Sequence, residues 1–178
     1  MSHARRHLRG PAAALLPLAL LPALACAAEA CHRRDTDRFE VLPGCTQTAP
    51  GTLALGAGAL ARLRFDENGL ATLQAGRQYY YVRRDGAYLP VITYDNGPDY
   101  FADGLVRARV DGRIGYYDTR LQPAFAARFD WGFPFQDGSA EVCDGCREGT
   151  PDADGHAGIV GGTRFHIDRQ GNVLPDSP

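Results

Sequence analysis

The chain contains no lysine; all 19 of its basic residues are arginine. A phosphate-loop lysine, a Schiff-base lysine and a lysine general base are therefore excluded. Serine is nearly as scarce. Beyond residue 30 only Ser139 and Ser177 remain, and Ser139 lies in Asp-Gly-Ser-Ala-Glu, which lacks the second glycine of a nucleophile elbow. After the N-terminus no stretch carries helical periodicity of useful length. No apolar run reaches the roughly 20 residues that span a bilayer. An excess of positive charge is also missing. Residues 1–30 hold three basic residues and one acidic one, so the remainder has 16 basic and 20 acidic groups and a formal charge of −4. That balance excludes nucleic acid as a partner, because phosphate binding needs a cationic surface.

What the N-terminus does have is an export leader. Arg5, Arg6 and Arg9 precede an apolar run from Ala12 to Ala25, and small residues follow. This reads as a signal peptide over residues 1–30. Cleavage after Ala28-Glu29-Ala30 leaves Cys31 first. A competing lipoprotein reading uses Ala23-Leu24-Ala25-Cys26 and attaches a lipid anchor at Cys26, although Ala23 stands where a larger aliphatic is usual. The protein is thus expected to be periplasmic or secreted, or an outer-membrane lipoprotein in the second case. Removing or lipidating Cys26 leaves four cysteines, an even number in an exported chain, and these allow three pairings. Closeness in sequence favours Cys31–Cys45 and Cys143–Cys146.

Residues 31–65 are polar and turn-rich, with a short strand expected at Thr52–Leu55 and, by period-two alternation, another at Ala59–Phe65, where a short helix is the alternative. Residues 66–178 repeat. Tyr94-Asp95 recurs as Phe129-Asp130, 35 residues on, and Phe101-Ala-Asp103-Gly104 recurs as Phe135-Gln-Asp137-Gly138, 34 residues on. Gly112-Arg-Ile-Gly-Tyr-Tyr-Asp118 is echoed by Gly162-Thr-Arg-Phe-His-Ile-Asp168. A weaker copy runs from Asn68-Gly69 through Gly76 to Val82. After each Asn-Gly or Asp-Gly turn small apolar residues alternate with Thr72, Arg107, Arg109 and Glu141. That pattern predicts antiparallel strands with one buried face. A period of this size marks a repeat architecture. The units resemble WG repeats over about residues 66–175, although the namesake Trp is Ile114 in one copy and Arg164 in another. The resemblance implies an all-β fold: about three tandem antiparallel β-hairpins in a short open, solenoid-like array. It carries no general catalytic residues and no cofactor.

The third copy holds 16 extra residues between its strands, which include Cys143-Asp-Gly-Cys146 and Asp152-Ala-Asp154-Gly155-His156. The cysteines follow a strand and precede no helix, so a disulfide is the expectation rather than a redox pair activated by a helix dipole. Zinc on Cys143, Cys146, His156 and His166 fails on spacing, since the histidines lie ten residues apart. The acidic run imitates a calcium loop but lacks its glutamate, and no metal is expected. Aligning the copies places Tyr80, Tyr116 and His166 in one column, opposite a core column of Tyr81, Tyr117 and Ile167. These three are the candidate ligand-binding row, exposed to a protein, peptide or envelope glycan; the alternative is that a neighbouring sheet or the Cys143–His156 insertion covers them as core. The expected function is a non-catalytic exported binding module. The alternative is an envelope enzyme or thiol-redox accessory protein centred on Cys143, Cys146 and His156.

Overall fold

The computed structural model describes residues 28–35 and 38–175. Residues 1–27 of the expected leader, Cys26 among them, lie outside the described residues. The fold is all-β and antiparallel. In chain order its strands are β1 (Glu29–Asp35), β2 (Arg38–Ala49), β3 (Thr52–Leu55), β4 (Leu70–Ala75), β5 (Gln78–Arg83), β6 (Tyr88–Val91), β7 (Thr93–Tyr94), β8 (Gly97–Pro98), β9 (Val106–Val110), β10 (Arg113–Tyr117), β11 (Trp131–Gly132), β12 (Ser139–Glu148) and β13 (Ile159–Asp168). One short helix, α1 (Ala57–Leu60), overlaps the start of the Ala59–Phe65 stretch, the alternative to a strand there, and the chain turns after it. The four small residues Gly56-Ala-Gly-Ala59 leave no side-chain pattern to hold a strand, and Ala59 is buried against β2 and β3.

Eight strands form a curled, open half-barrel in the order β10-β9-β6-β5-β4-β1-β2-β3, while β11-β12-β13 form a smaller sheet. β1 begins at Glu29, two residues before the expected mature end, and pairs Glu29 with Gln47 and Ala30 with Thr46. The Cys31–Cys45 disulfide ties β1 to β2, with Cα atoms 5.4 Å apart and both sulfurs in the core. Closing a loop of 14 residues stabilises by about 3 kcal/mol in the chain-entropy account. No helix among the described residues is long and apolar enough to cross a membrane.

The long sheet is buried on both faces, and the sequence pattern predicts one. On one face Leu73, Tyr80 and Val82 pack with Leu42, Leu53 and Leu63 from the N-terminal strands and their linker. Further along the same face, Ile114 and Tyr116 pack against Ala140, Val142 and Ile167 of the smaller sheet. The opposite face gathers Leu89, Val91, Val106, Ala108, Tyr117 and Leu121, with Tyr79, Tyr81 and Phe101 at its margin.

Turn chemistry recurs with the strands. The Ala102–Leu105 and Gln136–Ser139 turns each close with two backbone bonds, and all four central residues have positive φ. This is the backbone an Asp-Gly pair supplies in a type I′ turn. The two turns touch, because the Gly138 N–H donates to the Asp103 carboxylate at 2.7 Å. A second turn recurs three times in one form. Asp66, Asp118 and Asp168 each accept, on one carboxylate oxygen, the N–H two residues on and the N–H four residues on. The fourth residue is Gly69, Leu121 or Gly171, each with positive φ. Asn68-Gly69 therefore belongs to this five-residue turn and is not a counterpart of Asp103-Gly104. Asp152 builds the same turn with Asp154 and His156, which accounts for the calcium-loop look of that stretch.

Candidate functional site

The expected exposed row is not a row. Tyr80 and Tyr116 are each 0% exposed, and they lie in different core clusters. Their hydroxyls are used internally: Tyr80 accepts from Gln47 Nε2 at 2.6 Å and Tyr116 donates to the Phe133 carbonyl at 2.7 Å. Burial pushes both phenols up, and the charge of Arg107 only partly offsets this at Tyr116. His166 alone of the three is exposed. The register explains the difference. Tyr116 sits opposite Arg107 on β9–β10, as His166 sits opposite Glu141 on β12–β13. The β12–β13 hairpin covers Tyr116, whereas nothing among the described residues covers His166. Beside His166 lies the Arg164–Glu141 ion pair at 2.8 Å.

The 16 inserted residues mostly lengthen a hairpin. β12 and β13 pair from Ser139↔Asp168 to Glu148↔Ile159, leaving only residues 149–158 as a tip. The Cys143–Cys146 disulfide therefore lies within β12, not in a loop, with Cα atoms 5.9 Å apart. Opposite it Gly162 has φ 68°, and a Cβ there would strike the Asp144 carbonyl and the Cys146 amide. His156 is exposed in the tip, and its backbone N–H is held by Asp152. Among the described residues no group of three or more His, Cys, Asp or Glu side chains could hold a metal ion. With both pairs bonded, the cysteines assign the protein to an oxidising, non-cytoplasmic compartment.

A different site emerges around Arg107, which the alternation pattern assigns to the solvent side. Arg107 is 1% exposed and Asp99 0%. Arg107 Nε and Nη2 donate to the two carboxylate oxygens of Asp99 at 3.0 and 2.6 Å, and the Arg107 backbone N–H donates to the same group at 2.9 Å. The remaining Nη1 donates to the Gly132 carbonyl at 2.9 Å. Asp99 is held in turn through its own carbonyl, which accepts from Tyr81 Oη at 2.9 Å. Burial, with the nearby charges of Asp99 and Asp66, pushes the Tyr81 phenol up to about 12. A doubly bonded, fully hydrogen-bonded ion pair of this kind is rigid, and each partner would be costly to leave alone.

Aromatic side chains stand around this anchor with their faces partly open. The Tyr94 ring lies 5.2 Å from the Arg107 guanidinium and packs edge-on to Tyr100 at 5.6 Å. Tyr94 is 46% exposed and Tyr100 49%. On the other side, Trp131 and Phe133 flank Gly132, with ring centres 6.5 Å apart. Gly132 has no room for a side chain, because a Cβ there would meet the Tyr116 hydroxyl. Beside Trp131 a groove of about 280 Å³ runs between Arg109, Asp130 and Cys146, Arg147, Glu148. Arg109 lies over the indole at 5.9 Å and bonds to backbone carbonyls, while Asp130 is engaged by Arg113 and by the Gly145 N–H. The indole Nε1 is buried without an acceptor among the described residues. A larger groove of about 370 Å³ near Gln47 and Arg77 offers no aromatic face.

The sequence held one usable signal for this site: Tyr94, Tyr100, Trp131 and Phe133 crowd the two-residue strands β7 and β11 and the loops beside β8 and β11. Nothing in the pattern marked Arg107 as buried. No family model, curated protein or solved structure matches the chain.

Proposed function

We propose that the chain is an exported, non-catalytic β-repeat module, periplasmic or secreted, that binds an envelope glycan on the Tyr94–Tyr100–Trp131–Phe133 surface. The observation that carries this is a fully buried ion pair that holds the half-exposed Tyr94 ring, itself packed on Tyr100, and that binds the carbonyl between the part-exposed Trp131 and Phe133. Flat apolar faces with polar tips match the C–H faces and hydroxyls of sugar rings, and Arg109 and Glu148 add donors and acceptors at the edge. A preorganised surface loses less side-chain entropy on binding than a mobile one. Perturbed titratable groups speak against a reaction centre. The displaced phenols are buried, and Tyr80, Tyr81 and Tyr116 are hydrogen-bonded inside; the displaced carboxylates of Asp118 and Asp168 cap their own turns. Kinship with WG repeats is part of the same proposal. The recurring Asp turn and the bond from Gly138 to Asp103 support it.

The test is cosedimentation of the exported protein with insoluble envelope polysaccharide. The wild type should pellet with the glycan. Tyr94→Ala combined with Tyr100→Ala should weaken this by about tenfold while leaving the melting temperature nearly unchanged, since both rings are half exposed. Equal recovery of the double variant, or recovery of protein partners but no glycan, would refute the proposal.

A further inference from the structure

We propose that Cys146 is a thiol–disulfide exchange site, through which a thiol or dithiol reductant opens the wall of the Trp131 groove. The proposal does not depend on what the groove binds. It starts from an asymmetry between the two disulfides. Cys31 and Cys45 are 0% and 2% exposed and sit within the core. Cys143 is 2% exposed, but Cys146 is only half-buried and lines the groove. Exchange requires a thiolate to reach one sulfur along the S–S axis, so access decides which sulfur is attacked. Of the two sulfurs, Cys146 belongs to the more exposed residue. Arg109 and Arg147 line the same groove together with Asp130 and Glu148, so its formal charge is balanced and access, not steering, selects the sulfur.

The chemistry is a two-electron reduction in two displacements. The incoming thiolate attacks Cys146 Sγ and forms a mixed disulfide there. The Cys143–Cys146 bond breaks, and Cys143 leaves with the electron pair and takes a proton from water. Its new S–H has the Asp144 and Gly161 carbonyls at 3.8 and 3.9 Å as acceptors. A second thiolate, or the second sulfur of a dithiol, then attacks the reductant's sulfur in the mixed disulfide. Cys146 leaves as a thiolate and the reductant as a disulfide.

Reduction has a local structural consequence. The segment Cys143 to Cys146 is closed by the disulfide and clamped by Asp130, which accepts the Gly145 N–H. Arg147 and Glu148 follow directly and form the far wall of the groove. Opening the ring frees that wall from a covalent constraint. Trp131 is the direct cross-strand partner of Cys143 and the only tryptophan in the chain. A disulfide quenches a neighbouring indole by electron transfer, so emission reports the state of this bond alone.

The experiment treats the intact exported protein with dithiothreitol under native conditions, alkylates at timed intervals and maps the labelled peptides. Cys143 and Cys146 should be labelled about tenfold or more faster than Cys31 and Cys45, as the difference in access dictates. Trp131 emission should rise with the same time constant. A second pair of variants tests the direction of attack. Cys143→Ser leaves the Cys146 thiol, which should react with Ellman's reagent about tenfold faster than the Cys143 thiol left by Cys146→Ser. Labelling of both disulfides at one rate, a more reactive Cys143, or emission that does not follow reduction would each overturn the proposal.

Discussion

Arg107 is the residue on which the candidate site turns. Its neighbours Val106 and Ala108 face one core and its own side chain enters another, so alternation of apolar and charged residues misassigns it to solvent. The pattern assumes one buried face, and here Asp99, eight residues upstream, supplies a carboxylate and Gly132 of β11 a carbonyl to meet the guanidinium on the second face. Asp99, in Asp95-Asn-Gly-Pro-Asp99, reads as a turn former for the same reason: its partner lies eight residues away on a strand. The pair predicts its own variants. Arg107→Met leaves a buried carboxylate without its guanidinium, and Asp99→Leu leaves a buried guanidinium unpaired. Each should lower unfolding free energy in urea by about 3–5 kcal/mol. Replacing both together, Arg107→Met with Asp99→Leu, should cost less than the sum, because no lone charge remains. Strict additivity in that double-mutant cycle would contradict the ion-pair geometry.

At the scale of elements, turns were the most legible feature and also hid one exception. Asp103-Gly104 and Asp137-Gly138 announce their turns because glycine tolerates positive φ. The Asp118 turn is silent in the sequence because Leu121, at φ 60°, occupies the place that Gly69 and Gly171 hold elsewhere. Burial of the Leu121 side chain in the core offsets the left-handed backbone it must adopt. Asp118 itself defines a pH-dependent element. Burial raises its pKa, but the N–H groups of Gln122 and Arg120 and the Arg120 guanidinium outweigh this and hold it below the ordinary carboxylate value. A depressed folded pKa contributes stability that is present above about 3.9, the unfolded value, and is lost as pH falls through the lower folded one. Asp118→Ala should therefore lower stability by about 1–2 kcal/mol near neutral pH. The gap in melting temperature between wild type and variant should narrow on acidification below pH ~4. A gap independent of pH would mean that the carboxylate is not the acceptor.

At the scale of the molecule, the all-β class, the antiparallel pairing and both disulfides follow from period, turn residues and an even cysteine count. Curvature does not, because one chain's pattern cannot say that two stretches of sheet will cover each other. That missing step turned Tyr80 and Tyr116 from an expected binding row into core, and it left His166 outside on a polar terminal face. It also set the Tyr94 ring over Arg107 and bonded the same guanidinium to the Gly132 carbonyl, between Trp131 and Phe133. The most direct test of the account is amide and indole chemical-shift mapping of the exported protein titrated with a soluble fragment of envelope glycan. The account predicts saturable shifts at Tyr94, Tyr100, Phe133 and the Trp131 side chain, with Tyr80 and the Gln47 groove unmoved. Shifts confined to the Gln47–Arg77 groove or to the His166 face, or none at saturating glycan, would contradict it.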